Sequence, residues 1–194
     1  PLLYNTAGHA IAADSSGNVF VTGSFHGTVD FGGGALTSAG WTDIFLAKYS
    51  ASGTHLWSRR FGGPVQSFDQ TGNAIAVDGS GNVVITGRFM GTVDFGGGPI
   101  ASISGADVFV AKYSPAGDHL WSRHIQSGTG AGGLGRGIAV DASGNVVVTG
   151  AFGGTADFGA GPVTSPQGWA IFVTKYSASG TALWSKSTGG WLSD

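Results

Sequence analysis

The sequence predicts an all-β fold made of three tandem copies of one unit, and three observations carry that prediction. The first is a long internal period. Trp57, Trp121 and Trp184 stand 64 and 63 residues apart, and Phe45, Phe109 and Phe172 repeat the same two spacings. Two separate landmarks with one period mark tandem repetition, and a period this long belongs to propellers, solenoids or arrays. The second observation is the run Val83-Val84-Ile85, echoed by Val146-Val147-Val148, which puts β-branched side chains on both faces of one strand. A strand apolar on both faces must be sandwiched between layers. The third is that apolar runs are short and bounded by turn residues, with no amphipathic segment of helical length.

The second copy shows the order of elements. Asn73 to Asp78 is a short apolar run, Gly79-Ser80-Gly81 is a turn, and Asn82 to Phe89 is a second apolar run, which together predict a hairpin. Thr92 to Gly98 then leads through a small-residue loop to a strand over Asp107 to Tyr113. A turn at Ser114 to Gly117 precedes a last strand over His119 to Ile125. Four strands per copy result, and the copies superpose over residues 8–62, 72–126 and 135–189. Blades stacked face to face around an axis would cover both sides of such strands. The predicted architecture is therefore a β-propeller of four-stranded antiparallel blades, three per chain, with residues 1–194 forming one propeller or half-propeller unit. Closed propellers have about four to eight blades, so the two outer faces need neighbours. The chain is expected to form a homodimer that closes a six-bladed ring, or to be flanked by further blades of a longer parent. An open head-to-tail stack is the third arrangement.

Composition agrees with a folded β protein. The 194 residues include 37 Gly and 6 Pro, 41% are hydrophobic, and only 10% are charged, against about 25% in a typical soluble domain. The glycines have no three-residue period, which sets the chain apart from collagen. Net charge is -2, and the 9 Lys and Arg are spread through the copies, so nucleic-acid binding has little electrostatic support. No apolar run approaches the roughly 18 residues of a membrane helix, and no membrane insertion is expected. With no cysteine, disulfides and thiolate metal sites are excluded. Because the first residue is Pro1, the chain is expected to be a processed or excised piece of a longer product.

The segments GNAIAVDGSGNVVITGRFMGTVDFGGG and DVFVAKYSPAGDHLWSR resemble the bacterial SBBP repeat. The first and third copies match it in the same places, with DIFLAKYSASGTHLWSR and AIFVTKYSASGTALWSK closing their repeats. The resemblance covers nearly the whole chain. It implies a β-propeller repeat of secreted and surface proteins, and hence an extracellular or cell-surface location, and it carries over no common catalytic or ligand-binding residue. Two departures stand out: Ala170 replaces Asp43 and Asp107, and Ala182 replaces His55 and His119.

Polar motifs read mainly as architecture. Asp-x-x-Gly-Asn recurs at Asp14 to Asn18, Asp78 to Asn82 and Asp141 to Asn145, the chemistry of a tight hairpin turn, and it offers too few oxygens for the six to eight ligands of a Ca²⁺ ion. Asp30, Asp94 and Asp157 each open an Asp-Phe-Gly triplet. Their expected role is to cap the glycine loop while Phe31, Phe95 and Phe158 plug the blade, with weak Ca²⁺ binding as the alternative. Gly128 to Gly133 fits G-x-G-x-x-G but joins two strands instead of opening a helix, so it reads as a linker. The histidines His9, His26, His55, His119 and His124 lack metallohydrolase spacing, and no Ser lies in a G-x-S-x-G elbow. No catalytic, metal or cofactor-binding residue is expected.

Trp57, Trp121 and Trp184 recur with Lys48, Lys112 and Lys175 and are expected to pack between blades. Trp41, Trp169 and Trp191 fall outside strict register, in or beside loops, and are the candidate ligand-binding residues, able to stack on a sugar ring or a partner protein. The expected function is a non-enzymatic scaffold or interaction module; the alternative is a lectin-like, carbohydrate-binding propeller that gains avidity from its repeated blades.

Overall fold

The computed structural model describes residues 6–64, 70–103, 105–126 and 132–189, without the side chains of residues 166 and 167. Within them the chain is all strand and turn, with no helix. The first copy runs β1 (Ala7–Ala13), β2 (Val19–Phe25), β3 (Thr28–Asp30), β4 (Ala35–Thr37), β5 (Asp43–Tyr49) and β6 (His55–Phe61). The second runs β7 (Thr71–Val77), β8 (Val83–Phe89), β9 (Thr92–Asp94), β10 (Pro99–Ala101), β11 (Asp107–Tyr113) and β12 (His119–Ile125). The third has β13 (Gly133–Val140), β14 (Val146–Asp157), β15 (Pro162–Tyr176) and β16 (Ala182–Thr188).

Each copy forms one four-stranded antiparallel sheet, in the orders β1-β2-β5-β6, β7-β8-β11-β12 and β13-β14-β15-β16. The first turn of each is fixed by its aspartate. Asp14 Oδ1 accepts from the backbone N–H of Ser16 and of Asn18, both at 2.9 Å, while Oδ2 accepts from the Asn18 amide at 2.8 Å. Asp78 and Asp141 repeat all three bonds. Gly17, Gly81 and Gly144 close these turns at φ of 77°, 79° and 77°, a conformation only glycine adopts without strain.

One element departs from expectation. The segments read as loops after β2 and β8 contain small ribbons, β3-β4 and β9-β10, and in the third copy the equivalent pairing of Thr155 with Thr164 continues β14 and β15. The Thr-Val-Asp triplet is too short to show a strand period, so the sequence pattern conceals it.

The sheets pack face to face. Val83 and Ile85 join a cluster with Phe20, Ile44 and Leu46 of the first sheet, whereas Val84, Val108 and Val110 join Val146, Val148 and Phe172 of the third. The middle sheet is thus covered on both faces, as its doubly apolar strands require. The first strands crowd together: β7 packs on β1, and β13 packs on β7. Each carries a bulge between its glycine and the next paired residue, which leaves His9, Asn73 and Arg136 as the extra residues. A second bulge before each Tyr omits Leu56, Leu120 and Leu183 from the ladder, and all three are about half exposed.

Candidate functional site: junctions and grooves between sheets

The junction of two sheets is made by the same side chains each time. At the inner edge the bulge residue of one sheet reaches the glycine carbonyl of the next: His9 Nδ1 lies 3.2 Å from Gly72 O, and Asn73 Nδ2 donates to Gly135 O at 2.9 Å. Glycine is required there. A Cβ at Gly72 would stand 2.2 Å from Thr22 Oγ1 and one at Gly135 would stand 2.3 Å from Thr86 Oγ1, and both hydroxyls are already fixed by donating to Phe45 O and Phe109 O at 2.7 Å.

At the outer edge the recurrent Trp and Lys, register partners across their strands, meet the last turn of the following sheet. Trp57 Nε1 and Lys48 Nζ donate to Pro115 O at 3.1 and 3.0 Å, and Trp121 Nε1 and Lys112 Nζ donate to Ala178 O at 3.0 and 3.4 Å. Arg123 adds a bond to Gly180 O. The expected packing role of Trp57 and Trp121 is therefore joined by a directional one, whereas Trp184, expected to pack in the same way, is 40% exposed because no described sheet follows the third. The same lysines face back into their own sheets: Lys48 lies 3.9 Å from Asp14, Lys112 2.9 Å from Asp78 and Lys175 2.7 Å from Asp141.

The hydrogen bonds of each turn, together with these lysines, hold the turn carboxylates in the charged form. Asn18 lowers the Asp14 pKa below the ordinary value, and burial only partly opposes it. Burial pushes Asp78 upward, but bonds from Asn82 and Lys112 outweigh it. Lys175, then Asn145, pulls Asp141 far down. Asp30 is lowered by the amides of its glycine loop, Gly32 first, donating at 2.7 Å, with Gly34 at 3.0 Å. Asp94 caps Gly96 and Gly98 identically, and Asp157 caps Gly159. The geometry of these aspartates is thus the capping expected of them, one carboxylate oxygen of each accepting from the glycine-loop N–H groups. Among the described residues, no three His, Cys, Asp or Glu side chains gather closely enough to hold a metal ion.

Two equivalent grooves open beside the junctions. One of about 540 Å³ is lined by Arg59, Arg60, Asp94, Tyr113, Asp118 and His119; its counterpart of about 370 Å³ is lined by Arg123, His124, Asp157 and Tyr176. His119 packs over the glycine loop, where a Cβ at Gly96 would approach it to 2.7 Å, and burial lowers its pKa. A third cavity, about 500 Å³, lies where the inner strands meet and is lined by His9, Asn73, Arg88 and Arg136. Arginine, carboxylate and phenol recur in the grooves, a set that suits polar recognition.

Of the candidate tryptophans, Trp41 is half-buried between β4 and β5, its carbonyl bonded to His26 Nδ1. Trp169 is exposed on β15, opposite Gly153. Trp191 lies outside the described residues, as does most of the Gly128 to Gly133 segment. None of the cavities above includes Trp41 or Trp169 in its lining. Sequence reading overlooked two pairs in which a buried carboxylate meets a partly exposed basic side chain, Asp43 with Arg60 and Asp107 with His124, the latter at 2.7 Å. Their signal was present. Where Asp gives way to Ala170, the Arg or His on the facing strand gives way to Ser187.

An uncharacterized WD repeat-containing protein, L264, of Acanthamoeba polyphaga mimivirus is 28% identical over 172 residues, an alignment covering 73% of this chain and 12% of that protein. The chain thus spans about an eighth of that relative's length. A crystal structure of a protein of unknown function from Bacteroides caccae aligns over 97% of this chain and 84% of that one, at 12% identity and a TM-score of 0.34. The SBBP family model, described as a beta-propeller repeat, matches residues 2–27. The fold is therefore all-β with a propeller-type repeat, and the family resemblance read from the sequence is that of the SBBP β-propeller repeat, matched at residues 2–27.

Proposed function

We propose that the chain is a non-enzymatic scaffold or interaction module, its three four-stranded sheets acting as three propeller blades, and that it works at the cell surface or after secretion. One observation carries the reading. Most polar side chains that recur in all three copies are engaged in architecture: the turn aspartates and asparagines hold hairpins, the loop aspartates cap glycines, and Trp57 with Lys48 and Trp121 with Lys112 join neighbouring sheets. In the grooves a recurring Arg, Asp and Tyr stand beside a residue that changes between copies, Arg60 in one and His124 in the other. A constant frame bordered by polar grooves suits a binding module. The WD-repeat relative supports a propeller interaction scaffold, and the external location rests on the family resemblance.

Purified protein incubated with chromogenic esters, glycosides and phosphoesters is expected to turn none over. Turnover abolished by His124→Ala or Arg59→Ala would contradict the proposal. The exposed ring of Trp169 favours carbohydrate binding as the second reading. A glycan-array signal lost on Trp169→Ala or Trp41→Ala would establish it.

A further inference from the structure

The two end faces of the chain are the two halves of the junction that its interior contains twice. On the third sheet Ile171 is 55% exposed, although its equivalents Ile44 and Val108 are fully buried, and Trp184 is 40% exposed where Trp121 is 9%. On the first sheet Ile11 is 70% exposed where its equivalent Ile75 is 9%. Exposure of this kind marks an interface when the missing neighbour can be named. Here it can, because each half of the junction has its complement at the other end of the same chain.

We infer that a second copy of this chain docks head to tail, the third sheet of each on the first sheet of the other, so that two chains close one ring and no end face remains open. The inference rests on the reading of the sheets as propeller blades. The internal junctions assign the contacts. Trp184 and Lys175 take the place of Trp121 and Lys112 and donate to Ala51 O, the equivalent of Ala178 O. Arg136 takes the place of Asn73 and donates to Gly8 O, the equivalent of Gly135 O. Thr149, already held by donating to Phe172 O at 2.8 Å, takes the place of Thr86 and sits against Gly8. The receiving turn is free for this: a Cβ at Gly53 would meet nothing within 4 Å, whereas one at its equivalent Gly180 would lie 2.6 Å from the Trp121 ring. Heterologous contacts of this kind close when the rotation per unit allows and otherwise polymerise.

Gly8 supplies a selective test. A Cβ there would meet only Val21 of its own sheet, at an ordinary 3.5 Å, while the equivalent atom at Gly72 or Gly135 collides with the preceding threonine. Gly8→Ala therefore suits the isolated chain and obstructs the docked one. Light scattering and sedimentation of the wild-type protein should give the mass of two chains. Gly8→Ala and Trp184→Ala should keep the β-sheet spectrum and weaken pairing on the order of 10- to 100-fold. A wild-type monomer at every concentration overturns the docking, and so does a ladder of masses beyond two. If that monomer is still destabilised by Gly72→Ala, the stacked-blade reading stands alone; if Gly72→Ala has no effect, that reading falls as well.

Discussion

Val108 and Ile171 hold the same place in the repeat, on equivalent strands with equivalent partners, yet one is fully buried and the other is 55% exposed. Leu56, Leu120 and Leu183 form the control series. They are exposed by 48%, 48% and 50%, because each is the extra residue of a bulge whatever sheet stands beside it. Burial in this protein therefore has two sources. The bulges are written into each copy, whereas the faces depend on a neighbouring copy. The same sequence element has an interior energetics in the second sheet and a surface energetics in the third.

That contrast gives its largest expected effect at tryptophan. Trp121→Ala removes a packed ring and its bond to Ala178 O, and should cost about 3 to 5 kcal/mol of stability in urea unfolding. Trp184→Ala, measured under dilute conditions where chains are separate, should cost under about 1 kcal/mol. Equal losses would erase the distinction between interior and end. A smaller effect is expected at glycine. Gly72→Ala forces Thr22 from its bond with Phe45 O and should cost about 1 to 3 kcal/mol, while Gly8→Ala leaves the dilute chain near wild type.

The smallest effect concerns the turns, where the three copies should behave alike. Asp14, Asp78 and Asp141 all have folded pKa values below the ordinary 3.8. A depressed carboxylate stabilises the fold above its unfolded pKa, and the contribution is lost as pH falls through the folded value. Stability should be level down to about pH 4 and decline below it, and replacing one aspartate by asparagine should flatten that decline. An unchanged acid limb in Asp78→Asn would show that the turn carboxylates do not govern it.

Much of the fold was legible in the sequence because its determinants are local. The aspartate and glycine of each Asp-x-x-Gly-Asn turn act within five residues, and β11 and β12 occupy the residues that apolar patterning marked, Asp107–Tyr113 and His119–Ile125. The ribbons escaped notice because three-residue strands have no period to read. The junction was half legible. The Trp and Lys repetition pointed to packing between sheets, but the acceptors, Pro115 O and Ala178 O, are backbone atoms and leave no mark in composition. The inner-edge bond was hidden for a related reason: His9, Asn73 and Arg136 share a repeat position but no residue type, and only the bulge geometry shows that the position faces the next sheet. The grooves depend on how adjacent sheets meet, which no single repeat encodes.

The most direct test of this account is hydrogen exchange at the indole N–H groups, followed by NMR on protein labelled at tryptophan nitrogen, with Trp57, Trp121 and Trp184 assigned through single Trp→Phe variants. Slow exchange of Trp57 and Trp121 at all concentrations is predicted, together with a Trp184 signal that exchanges rapidly in dilute protein and becomes protected as the concentration rises. A Trp184 indole that stays fully exchangeable in concentrated protein would contradict the claim that the end faces are halves of one junction.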